Sequence, residues 1–379
     1  MSPRYIKLAA VYFFYFASLG IYLPYWAPYL NELGFSAVEI GQLLAVALGT
    51  KLFAPYIWGW VADHTGHRLR MLKIAATLAV VFYTGLLFRD DYLWLFAFLL
   101  LFSFFWNAML PQLENITFDS LGHAARHYSR IRLWGSIGFI IFALVFAPVV
   151  THYGLKIVPY LILCVLIAMW FVILFSHDRR VVRSPPLPIT QHLLRREMLA
   201  LLALCFLMQL THGPYYSFFS IYMHDAGYSE TAIGVFWALG VSAEVVIFIF
   251  IPRLLPRWGA PALLSFSMAV TALRWVLISQ FPQQLPLILF AQTLHAVTFG
   301  VYHAAAIHLI DRWFPGSLQG RGQAVYSGVS FGLGGALGSL FTGYLWEFLN
   351  AAEVFMIAGM IAGAGVLLTL PLYRMKARH

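Results

Sequence analysis

Five ionisable side chains lie within long apolar stretches of this chain or at their edges: Lys51, Glu114, Arg132, Glu244 and Arg274. If those stretches cross a bilayer, each charge costs at least about 2.5–3.5 kcal/mol, so such groups pair with one another or meet a charged cargo. The set holds three cations and two anions, which leaves one cation for an outside carboxylate to neutralise. His295, in the run QTLHAVTF, is placed to exchange a proton with such a layer, because imidazole titrates near neutrality. His212, His303 and His308 have no acidic or thiolate partner at ligand spacing, so neither a metal nor any other cofactor is expected. Tyr22, Tyr25 and Trp26 offer ring faces on which a flat substrate could stack, as do Tyr215, Tyr216 and Phe218. Packing within the fold is the other reading open to each of them. No G-x-x-x-x-G-K-[ST] loop and no nucleophile–base constellation occurs, so nucleotide-driven work and enzymatic chemistry are not expected.

The elements that must position these residues follow from composition. The chain has 379 residues, 61% of them hydrophobic and 10% charged. A soluble domain is about half apolar and about a quarter charged, so this chain is not a soluble enzyme. A spanning helix needs about 20 mostly apolar residues. Runs bounded by charges, prolines and glycines predict twelve, over 6–30, 38–62, 70–88, 92–118, 131–151, 155–176, 198–223, 231–252, 261–281, 284–309, 322–346 and 351–373. The expected fold is an all-α membrane protein with twelve transmembrane helices in two six-helix pseudo-symmetric bundles. The bundles would cover 1–178 and 197–379, joined by a cytoplasmic linker over 179–196, where prolines and like charges cluster. The N-terminal run reads as a first span and not as a removable signal peptide.

Orientation follows from the 24 lysines and arginines. With the N-terminus inside, all but Arg89, Lys156, Lys51 and Arg274 fall in cytoplasmic segments, so both termini are expected to be cytoplasmic. The net charge of +9 is thereby accounted for at the lipid bilayer surface, and no nucleic-acid partner is expected. Cys164 and Cys205 both lie in apolar runs, which argues against a disulfide framework.

The halves are also related in sequence. A shift of 193 residues lays LNELGFSAVEIGQLL on MHDAGYSETAIGVFW and matches Gly20 with Gly213, Tyr22 with Tyr215, Gly34 with Gly227 and Gly66 with Gly259. Two six-span halves in the same orientation form a parallel repeat, for which a central cavity near the midplane is expected. The same shift relates Lys51 to Glu244, each about 18 Å into its helix at roughly 1.5 Å per residue.

Between the second and third runs the chain reads GWVADHTGHR, with Gly59, Asp63, Gly66 and Arg68 in place. This resembles the signature loop of the major facilitator superfamily, G-x-x-x-D-x-x-G-R/K-R/K. The resemblance implies a conformational latch at the cytoplasmic helix ends. PQLENITFDS and SRIRLWGSIGF resemble the segments of lactose permease that carry its sugar-binding Glu and Arg, which implies substrate contact by Glu114 and Arg132. Arg274 and His295 likewise resemble that protein's proton-coupling pair, although its neighbouring Glu is Thr298 here. PYYSFFSIYMHDAGYS, GVSAEVVIF, ALRWVLIS, QTLHAVTFGVYHAA and RLWGS resemble the 3-phenylpropionate permease branch of the superfamily.

Together these resemblances imply a monomeric, proton-coupled secondary transporter of the bacterial inner membrane that imports a small aromatic carboxylate. A sugar or nucleoside symporter is the alternative. Substrate contact would fall to Lys51, Glu114, Arg132, Tyr22, Tyr25, Tyr215 and Tyr216. Proton coupling would fall to Glu244, Arg274 and His295.

Overall fold

A computed structural model describes residues 3–121, 127–176, 193–314 and 318–373, and among them it contains helices and turns but no strand. The first helices are α1 (Pro3–Glu32), α2 (Ala37–Gly49), α3 (Ala54–Thr65), α4 (Arg68–Gly85), α5 (Tyr92–Leu121), α6 (Tyr128–Tyr153) and α7 (Val158–Leu174). They are followed by α8 (Arg196–Thr211), α9 (Gly213–Asp225), α10 (Glu230–Trp258), α11 (Ala260–Gln280) and α12 (Leu285–Thr293). The last are α13 (Tyr302–Trp313), α14 (Gln319–Ser327), α15 (Gly335–Phe348), α16 (Ala351–Gly365) and α17 (Leu370–Tyr373).

Several of these are pieces of one longer span. A 3-10 turn, Thr50–Leu52, joins α2 to α3. A π-helical turn, Ala296–Val301, joins α12 to α13, and another, Gly328–Gly334, joins α14 to α15. Among the described residues eleven helices are long and apolar enough to cross a membrane. The 18-residue α4 is not one of the eleven, since it opens with Arg68, Arg70 and Lys73.

Local chemistry sets where the helices begin and end. Ser36 with Glu39, and Asn350 with Glu353, form capping boxes that satisfy the free amides at the starts of α2 and α16. Turns between helices use left-handed glycines, including Gly34 and Gly66 and their 193-residue counterparts Gly227 and Gly259, where a Cβ would be strained. The helix limits repeat at the same shift: Pro3–Glu32 corresponds to Arg196–Asp225, and Ala37–Thr65 to Glu230–Trp258.

The chain divides into two compact units. The first is Met1–Ser184 together with Tyr228–Ala238, and the second is Pro185–Gly227 together with Leu239–His379. In the first, α1 packs along α6 and α7, and α4 along α5 and α7. In the second, α11 packs along α16 and α13, α8 along the Gly328–Gly334 turn, and α9 along α15.

Tyr228–Ala238 joins the first unit because its small residues allow close approach. A Cβ on Gly234 would stand 2.4 Å from the Tyr25 hydroxyl and 2.6 Å from the Ala143 carbonyl. The Thr151 and Thr231 hydroxyls meet at 3.0 Å in the same contact. The expected linker lies largely outside the described residues, as do Arg126 and the C-terminal cations from Arg374 onward.

Candidate functional site

The densest polar cluster among the described spans lies in the second unit, on α9, α10, α11 and the α12–α13 span. Pro214, near the start of α9, has no amide hydrogen, and the chain breaks between α8 and α9 at His212. That break is followed at once by Tyr215. Arg274 on α11 is fully buried. Its guanidinium sits over the Tyr215 ring at 4.2 Å and the Trp275 ring at 4.9 Å. Its polar contacts are His295 Nδ1 and Thr298 Oγ1, both at 3.1 Å, and Gln292 Oε1 at 3.2 Å. Tyr215 donates to the same Gln292 oxygen at 2.8 Å. Beyond the imidazole, His295 Nε2 lies 3.6 Å from Glu244 Oε2.

Two properties of this cluster matter chemically. Among the described residues the buried guanidinium bonds to neutral groups, and a buried charge without an ionic partner is costly by several kcal/mol. The cluster is also rich in donors: Arg274 Nε, Trp275 Nε1 and Gln292 Nε2 are buried with no partner among the described residues. His212 donates from Nδ1 to the Met208 carbonyl at 2.7 Å, and its ring packs against Trp275 at 4.9 Å. Tyr216, half-buried, stacks on His212 at 5.7 Å.

Glu244, Arg274 and His295, expected from sequence to act together, are thus brought together, with Tyr215 beside them. Within the cluster His295 stands between Arg274 and Glu244. Gln292 and Trp275 were missed as members. Their signal was available, since Gln292 precedes His295 by three residues and Trp275 adjoins Arg274.

The first unit holds the other expected residues in separate groups. Glu114 on α5 accepts from the Tyr128 hydroxyl at 3.4 Å. The Arg132 guanidinium on α6 lies over the Phe16 ring at 4.0 Å and the Tyr12 ring at 5.8 Å. No ion pair joins Glu114 to Arg132 among the described residues. The guanidinium is attracted to the ring face of Phe16.

Lys51 sits in the 3-10 turn between α2 and α3, half-buried, with no hydrogen bond or ion pair to the described residues. Next to it, Thr50 Oγ1 receives Asn107 Nδ2 at 2.7 Å. Tyr22 stacks on Trp26 at 5.6 Å, in an aromatic seam that continues to Trp106 and Tyr83. The Tyr22 and Tyr83 hydroxyls and the Trp26 and Trp106 indole nitrogens are buried there without partners. Tyr25 is fully buried, and its hydroxyl is committed to the carbonyls of Ala143, at 3.2 Å, and Glu230, at 3.4 Å.

In the signature loop, Asp63 pairs with Arg68 across the left-handed turn at Gly66. Gly59 faces α5, where its Cβ would come 3.9 Å from Gln112 Nε2. No group of three or more His, Cys, Asp or Glu among the described residues could hold a metal ion.

Comparison with known proteins bears on this arrangement. Residues 5–357 match the MFS_1 like family. The chain is 30% identical over 372 residues to the probable 3-phenylpropionic acid transporter of Escherichia coli (strain K12), covering 95% of each. It is 25% identical over 368 residues to the maltose permease of Geobacillus stearothermophilus, covering 95% of this chain and 92% of that one. The crystal structure of the nucleoside transporter NupG superposes with a TM-score of 0.81 at 18% identity, covering 98% of this chain and 99% of that one.

Proposed function

This chain belongs to the MFS_1 like family, and from that footing we propose that it is a proton-coupled importer of a small aromatic carboxylate. That it is a multi-pass membrane transporter of the major facilitator type, and not an enzyme, follows from its relatives. The carboxylate reading rests on one observation: Arg274 is fully buried, flanked by aromatic rings, and among the described residues its hydrogen bonds go to neutral groups. A substrate carboxylate supplies the missing charge, and an aryl group beside it finds the Tyr215 and Trp275 rings. The 30%-identical relative, named for 3-phenylpropionic acid, supports the same class.

In this reading α4 is the twelfth span, and two six-helix halves work by alternating access in the inner membrane. Tyr216, which stacks on His212 in the same unit as Arg274, bears on the ring of the acid. Asp63 and Arg68, with Gly59 and Gly66, form the latch.

Proteoliposomes under an imposed inward proton gradient test this. The expected result is accumulation of labelled 3-phenylpropionate. Arg274→Gln should weaken binding about tenfold to a hundredfold, as expected for loss of charge-assisted hydrogen bonds. Normal binding by that variant would remove the carboxylate reading. The sugar alternative draws on the maltose permease relative and on the Glu114, Tyr128 and Arg132 group, which offers both acceptors and donors. Accumulation of maltose and not of the acid would favour it.

A further inference from the structure

The two nitrogens of His295 are not equivalent. A guanidinium has N–H donors and no acceptor, so the 3.1 Å contact from Arg274 must end on an unprotonated Nδ1. The proton of the neutral imidazole therefore sits on Nε2, on the side of Glu244 Oε2. The lone pair through which this ring could take a further proton is the one that Arg274 occupies.

We infer that His295 Nδ1 is the atom that receives the coupled proton, and that it does so only as Arg274 turns from it to the substrate carboxylate. The inference rests on the carboxylate reading above. Charge bookkeeping supports the exchange. With Glu244 ionised and His295 neutral, Arg274 and Glu244 balance. A bound carboxylate alone leaves the cluster one charge negative, and a proton alone leaves it one charge positive. The two together restore neutrality, and in a buried setting an unbalanced charge is strongly disfavoured.

The step balances simply. A hydronium ion gives its proton to the Nδ1 lone pair and leaves as water, and the Arg274–His295 hydrogen bond is the one contact given up. Thr298 and Gln292 still hold the guanidinium from α13's preceding turn and from α12. The new imidazolium keeps its Nε2–H toward the Glu244 carboxylate, so the added charge meets an opposite one. The titratable or charged groups around His295 are Glu244 from α10, Arg274 from α11, Tyr215 from α9 at 5.9 Å, and His212 at the α8–α9 break. Among the described residues, only Arg274 has a hydrogen bond to Nδ1. The coupling therefore sits in a single hydrogen bond whose acceptor can be either deprotonated or released.

The test is proton uptake on binding, read by titration calorimetry of the purified protein in buffers of differing ionisation heat. The wild type should take up about one proton per 3-phenylpropionate bound near neutral pH. His295→Asn places a non-titrating oxygen where Nδ1 was, and its ratio of protons to acid bound should fall to about zero, whatever its affinity. The neutral isostere 3-phenylpropanamide, given to the wild type, should drive no uptake, a contrast that needs no variant to fold. Acid binding by the wild type without proton uptake would overturn the inference and leave the carboxylate reading standing, as would uptake that persists in His295→Asn. Binding of maltose with no binding of the acid would overturn both.

Discussion

A methyl group placed on Gly138 would stand 2.2 Å from the Phe13 carbonyl oxygen, and one on Gly20 would stand 2.5 Å from that of Phe139. Each glycine thus receives the backbone opposite the other, and α1 and α6 touch main chain to main chain. Gly138→Ala should lower stability by about 1–3 kcal/mol through overpacking, seen as a fall in Tm. Gly320, exposed and with nothing within 4 Å of its Cβ position, is the control. Ala there should leave Tm unchanged or raise it, because a helical glycine is about 0.5–1 kcal/mol worse than alanine. An equal loss at both sites would contradict the contact. At this scale the sequence revealed which residue types mattered better than which atoms they meet. Embedded Arg274, His295 and Glu244 stand out because charge is rare in apolar runs. That Phe16 would cap Arg132 could not be read, since the chain has 33 phenylalanines and helix rotation chooses among them.

Hydrophobic runs located most helix ends to within a few residues, because charges and glycines punctuate them. The clearest miss was α10, expected to stop at 252 and found to run to Trp258 with Pro252 and Pro256 inside it. In a bilayer a helix absorbs proline where in water it tends to break, as freed carbonyls find local partners. The π turns were illegible for a different reason. A π turn accommodates one extra residue in a helix, and packing decides where it goes. The segment Ala296–Val301 follows His295 directly, whereas its counterpart in α5 is continuous α-helix. Deleting Val301 should therefore convert the turn to α-helix with the flanking faces still aligned, so the protein folds but loses proton-driven uptake. Deleting Ala108, its 193-residue counterpart, should rotate half of α5 by about 100° and abolish folding. Size-exclusion profiles and uptake assays on the two deletions provide the comparison. Normal uptake without Val301 would show that the turn is incidental.

The arrangement of cations along the whole chain predicts its sidedness. In a background without Cys164 and Cys205, Asp91→Cys should react with an impermeant maleimide in intact cells, and His64→Cys only after lysis. The opposite pattern would invert the topology. The repeat was legible at this scale because helix limits and left-handed glycines recur at one constant shift. The boundary of the first unit was not, because Tyr228–Ala238 follows the expected linker in sequence yet packs with the residues before it. That contact has a consequence for biosynthesis. The Tyr25 hydroxyl bonds the carbonyl of a residue, Glu230, that the ribosome adds 205 positions later. The first unit therefore cannot finish assembling as it emerges. It must wait in the membrane, with the face around Ala143 and Ala147 uncovered, until the helix after Gly227 has been translated and inserted. A polypeptide released early would carry that open seam, which is the kind of surface a quality-control protease or insertion factor can recognise.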